Sequence, residues 1–102
     1  MNGEFRFERR EVACAFGATL RSAREELGIS QVRLARLCDV DRSYPSQIER
    51  GERQPTVSML LRLASGLGVN ATALIEGTAA RLRGELPAGV DVVPQRRGAL
   101  ER

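Results

Sequence analysis

The 102-residue chain has no lysine, no histidine and no tryptophan, and aromatic residues make up only 4% of it. Without histidine, the commonest general base and metal ligand is missing. Cys14 and Cys38 lack paired CxxC spacing, so neither a zinc site nor a disulfide framework is supported, and both are read as buried thiols. No GxSxG nucleophile motif or glycine-rich phosphate loop is present; the glycines punctuate helices instead. These absences argue against a hydrolytic enzyme and call for no cofactor and no metal. No run approaches the ~20 apolar residues of a membrane span, and the opening MNGEFRFERRE lacks the apolar core of a signal peptide. The expectation is a cytoplasmic protein with no membrane partner.

What is present is aliphatic and arginine-rich. The hydrophobic share is 42%, and sixteen arginines against thirteen acids give a net charge of +3. Such a balance permits a nucleic-acid partner without demonstrating one. A chain of this length forms one small domain of marginal stability, which dimerisation would support. With few aromatics, a core of Leu, Val, Ile and Ala favours helices over a sandwich or barrel.

Periodicity supplies the elements. Val12, Phe16, Leu20, Ala23 and Leu27 follow the 3,4 spacing of an amphipathic helix over 12–27, which Gly28 ends. Ser30 caps a second helix, 31–38, with Leu34 and Leu37 inward and Arg33 and Arg36 outward. Asp39 is placed in a left-handed turn, a conformation that Asp tolerates at moderate cost. A third helix is read over 42–50 and ends at Gly51. Thr56 caps a fourth, 57–67, with Met59, Leu60, Leu63, Ala64 and Leu67 on one stripe. Asn70 opens a fifth, 71–76, with Leu74 and Ile75 inward. An N-terminal arm, 1–11, precedes these helices and a tail, 77–102, follows them; both are read as frayed or disordered, the tail alternatively as a dimer contact. The alternation in EFRFE and the β-branched VDVVP give each end a weaker reading as a short strand.

The third helix carries the most chemistry. On a helix beginning near Arg42, residues Arg42, Ser43, Ser46, Gln47 and Arg50 share one side, while Tyr44, Pro45 and Ile48 share the other. Every member of the first set hydrogen-bonds readily to DNA. Arg42 suits a bidentate contact to guanine and Gln47 one to adenine, with Ser43 and Ser46 reading bases or backbone. Arg50 and Arg53 are candidates for phosphates, followed by Arg33 and Arg21. Pro45 constrains where the helix starts. With Asp41 as cap the proline forfeits the first backbone bond; with Ser43 or Tyr44 as cap it sits in the first turn at little cost, and Arg42 and Ser43 move onto the preceding turn.

From FGATL to NATALI the chain resembles the phage-repressor and Cro type (XRE-like) of helix-turn-helix protein. The pieces that carry the resemblance are LGISQ, Leu34–Ala35, SQIERGERQPT and LASGLGVNATALI. The resemblance implies an all-α, compact five-helix domain whose third helix enters the major groove of double-stranded DNA. It also implies a homodimer on a palindromic operator, acting as a transcriptional repressor or regulator. Gln31 falls where the family commonly holds a glutamine that contacts a phosphate and braces the recognition helix. Arg24 and Glu49 match an ion pair between the first and third helices. Leu67, Val69, Leu74 and Ile75 lie where relatives form dimer contacts, although core burial explains them equally well. Pro45 departs from the family's usual Leu, Ile or Val. That departure and the modest charge leave a second reading open: a regulator that docks a protein partner, with reduced DNA affinity.

Overall fold

A computed structural model describes residues 6–85, and within them the chain forms five helices: α1 (Arg9–Glu26), α2 (Gln31–Cys38), α3 (Tyr44–Glu49), α4 (Val57–Leu67) and α5 (Ala71–Leu82). No strand occurs among the described residues. The strand reading of VDVVP lies outside them; that of EFRFE lies partly outside, and its described residues, 6–8, have no regular structure.

Local signals set most boundaries. Ser30 and Thr56 accept the backbone N–H groups of Arg33 and Met59 at 3.0 and 3.1 Å, and caps of this kind are worth about 1 kcal/mol each. Asp39 adopts the left-handed conformation (φ 56°, ψ 51°) that ends α2, as its sequence position predicts. The core gathers Phe16, Leu20 and Ala23 from α1, Leu34 and Cys38 from α2, Tyr44 and Ile48 from α3, Leu63 and Leu67 from α4, Val69 from the α4–α5 connection and Leu74 from α5.

Several expectations are corrected. α1 begins three residues before Val12, because Glu8 and Glu11 close a capping box around a polar first turn. α5 continues past Gly77: a Cβ there would stand 2.7 Å from Thr19 Cγ2, so the missing side chain lets α5 lie against α1. Arg81 Nε then donates to Thr19 Oγ1 at 3.0 Å, fastening the added turn. Cys14 is exposed rather than buried, whereas Cys38 is buried. Cys38 also takes the inward place expected of Leu37, which is 46% exposed. Ile75, expected inward, is 51% exposed because Leu74 fills the core beside it.

Candidate nucleic-acid interface

α3 is a single short turn and a half, and its position is fixed from behind. Tyr44, Pro45 and Ile48 are buried. Ser43 occupies the N-cap, so Pro45 falls at the second helical position, where its missing N–H breaks no intrahelical bond. The helix therefore starts two residues later than the 42–50 reading. Arg42 and Ser43 lie on the preceding turn, where the Asp41 carboxylate accepts the Ser43 N–H at 3.0 Å and its hydroxyl. These bonds hold the Asp41 carboxyl below the usual carboxylate range, the hydroxyl contributing most.

The far end of α3 is fixed by charge. Arg24 of α1 donates to both Glu49 oxygens, from Nε at 2.7 Å and Nη2 at 3.0 Å, and its Nη1 donates to the Ile29 carbonyl at 2.9 Å. The two side chains are 11% and 4% exposed, so this is a desolvated fork-to-fork pair. The hydrogen bond to Glu49 raises the Arg24 pKa against the opposing effect of burial. Gln31 Nε2 donates to the same carboxylate at 3.0 Å, so one glutamate joins α1, α2 and α3. α1 also approaches closely: a Cβ on Gly17 would meet the Ile48 carbonyl oxygen at 2.3 Å. Backbone packs on backbone there.

Held this way, α3 and its flanking turns present Arg42, Ser43 and Arg50 as exposed residues and Ser46 and Gln47 as half-buried ones. Apart from that of Arg42, their side chains are already engaged. Arg50 grips Glu52 through Nε and Nη2 at 2.7 and 3.1 Å and donates to the Ser46 hydroxyl. Arg53 Nη1 donates to Gln47 Oε1 at 3.2 Å, and its guanidinium lies 5.2 Å from the Tyr44 ring centroid, in cation–π range. Arg21 pairs with Glu25 on the surface of α1 at 3.0 Å. Among the described residues, no hydrogen bond or ion pair holds the Arg33 or Arg42 side chain.

The structure thus brings Ser46, Gln47, Arg50 and Arg53 together and sets Arg42 and Ser43 beside them. It ties Gln31 to Glu49, with the second amide hydrogen left over for another acceptor. Of the residues assigned to dimer contacts, Leu67, Val69 and Leu74 are core residues of the single chain, because α4 and α5 close on them; only Ile75 retains exposed surface. Sequence reasoning did not assign Glu52 as the partner of Arg50, or Gly17 as the point of closest approach. A glycine inside a helical pattern was the available signal for the latter. No helix among the described residues is long and apolar enough to cross a membrane, and no cluster of His, Cys, Asp or Glu there forms a metal-binding group.

Comparison with known proteins agrees with this geometry. The helix-turn-helix family model matches residues 20–74. The HTH-type transcriptional regulator RamB of Mycobacterium tuberculosis is 40% identical over 70 residues, covering 69% of this chain but only 15% of RamB. The immunity repressor protein of Bacillus phage phi105 is 34% identical over 59 residues, covering 58% of this chain and 41% of the repressor. Among solved structures, the restriction-modification controller protein C.AhdI from Aeromonas hydrophila superposes with a TM-score of 0.64 at 35% identity, covering 67% of this chain and 99% of that one. The clp gene regulator ClgR from Corynebacterium glutamicum gives 0.67 at 28% identity, covering 70% and 92%. The braced short helix, its polar outward side and these likenesses lead to one assignment: the chain belongs to the XRE-type helix-turn-helix family of DNA-binding transcriptional regulators.

Proposed function

We propose that the protein is a sequence-specific repressor that binds a palindromic operator in the bacterial cytoplasm as a homodimer, with α3 of each subunit in a major groove. The observation that carries this reading is the anchoring of α3: one side is buried, both ends are tied down, and Ser46, Gln47 and Arg50 are held on the side that remains. Positional rigidity of this kind is what base readout requires. Gln47 pairs with adenine and Arg42, from the turn, with guanine, each contact contributing ~1–3 kcal/mol of discrimination. Ser43 and Ser46 add base or backbone bonds, Gln31 donates to a phosphate, and Arg50, Arg53, Arg33 and Arg21 neutralise phosphates. The likeness to a phage immunity repressor supports repression over activation.

The homodimer reading uses a different face. Val57 and Ile75 are 73% and 51% exposed and border an apolar groove of about 300 Å³ lined also by Val12, Phe16, Leu60 and Leu82. It lies on α1, α4 and α5 and reaches the loop 54–56 that leads into α4, whereas α3 packs chiefly on α1 and α2, so a second copy seated there leaves the outward side of α3 open. A second reading, docking of a regulatory protein partner with little DNA affinity, draws support from the internal pairing of Arg50 with Glu52 and of Gln47 with Arg53.

Selection of bound sequences from random duplexes, followed by a salt series on the winner, tests these together. A palindromic consensus and an affinity that falls steeply with salt are expected. Absence of duplex binding even at low salt would leave only the protein-docking reading.

A further inference from the structure

The first turn of α1 carries two adjacent arginines, Arg9 and Arg10, both exposed. This turn sits against the loop that follows α3. Gln54 Nε2 donates to the Arg9 carbonyl at 2.9 Å, and a Cβ on Gly51 would fall 2.6 Å from Cys14 Sγ. Between turn and loop lies an open basin of about 540 Å³ whose lining includes Arg9, Arg10, Glu52, Arg53 and Gln54.

The charge in this basin is one-sided in effect. Three guanidinium groups face one carboxylate, and that carboxylate is occupied by Arg50. Glu52 is held below the usual carboxylate range first by its hydrogen bond from Arg50, and the charge of Arg10 adds to the effect, so Arg10 lies within electrostatic reach of the loop. The acids beside the arginines in sequence are turned elsewhere: Glu8 and Glu11 close on each other in the capping box, with Glu8 N donating to Glu11 Oε1 at 2.9 Å. Among the described residues, nothing pairs with the side chains of Arg9 or Arg10.

We propose that Arg9 and Arg10 form a second phosphate-binding site, which extends the DNA footprint from α3 across the α3–α4 loop to the backbone flanking the bases that α3 reads. The site takes the phosphodiester oxygens of duplex DNA, which the guanidinium fork matches in geometry and charge. Neighbouring helical positions point about 100° apart, so the two side chains meet separate phosphates rather than sharing one. The site rests on the reading of α3 as the recognition helix and adds affinity without sequence preference.

The test uses the full chain and a selected high-affinity duplex in two lengths, one trimmed to the consensus and one carrying flanking base pairs. On the long duplex, Arg9→Ala/Arg10→Ala should make the slope of log K against log salt shallower by ~1.8 per bound subunit, at ~0.9 per phosphate contact. The loss should be equal for any flanking sequence and absent on the trimmed duplex, and Arg9→Lys/Arg10→Lys should restore most of the slope. An unchanged slope on the long duplex, with wild-type binding intact, would overturn the second site alone. Loss of equal size on both duplexes would also overturn it, since the contacts would then not be flanking. If wild-type protein binds neither duplex, the recognition-helix reading fails and takes this site with it.

Discussion

Glu49→Ala is expected to be the most damaging conservative-sized change near α3, and its cost follows from the structure. The carboxylate is 4% exposed and accepts from both Arg24 nitrogens and from Gln31, so its removal strands a guanidinium that is itself only 11% exposed. Breaking one side of a buried pair costs about 3–5 kcal/mol, most of it the burden of the charge left behind. With a urea m-value of about 1.5 kcal/mol/M, a loss of about 4 kcal/mol moves the unfolding midpoint by about 2.7 M. Equilibrium urea unfolding followed by far-ultraviolet circular dichroism reads this directly. Arg24→Met should cost similarly, while the double variant Arg24→Met/Glu49→Leu should recover much of the loss, because no charge then remains buried. If Glu49→Ala shifts the midpoint by less than about 0.5 M, or if the two single losses simply add in the double variant, the bridge does not hold α3 as argued.

Three further outcomes are expected. Gly17→Ala forces a Cβ against the Ile48 carbonyl, so thermal unfolding should show a loss of about 1–3 kcal/mol, with DNA affinity falling as α3 is displaced. Pro45→Ala restores an N–H that has no intrahelical partner and removes buried methylenes and a constraint on the unfolded chain; a stability loss of about 2 kcal/mol in urea titration is expected, and an increase would refute the first-turn account. A thiol reagent at neutral pH should label Cys14 alone in the native protein. Burial pushes the Cys38 thiol up to about 11, and its Sγ lies 3.6 Å from the Arg62 carbonyl, so Cys38 should react only after unfolding, as mass spectrometry of the labelled peptides would show.

The helices themselves were legible because their signals are local. Ser30, Asp39, Thr56 and the 3,4 spacing of leucines state their roles within a few residues. The start of α3 was legible as a choice of cap between Asp41 and the later Ser43 or Tyr44, and Pro45 decided it against Asp41, since only the later start costs the ring no hydrogen bond. Errors arose where a distant element decided. The fifth helix reads as 71–76 until Thr19 of α1 is placed beside Gly77, and Leu37 and Cys38 compete for one inward position that only the packing of α4 awards to the thiol. Residue types at the candidate interface were readable on one side of α3, but the partners that occupy them were not. Neither the Arg53–Gln47 bond across six residues nor the position of Arg9 beside Gln54 follows from any helical period.

The pairing of Arg50 with Glu52 and of Arg21 with Glu25 also sets the distance over which this surface acts. Viewed from afar, each couple is a dipole, and its field fades faster than that of a lone guanidinium. On the proposed DNA-binding reading, long-range steering then falls to the uncoupled arginines such as Arg33 and Arg42, while Arg50 enters only at contact, when an incoming oxygen displaces Glu52. An acid that has been displaced remains close by and repels any anion that is poorly seated. The surface is thus built to be quiet at a distance and demanding on arrival.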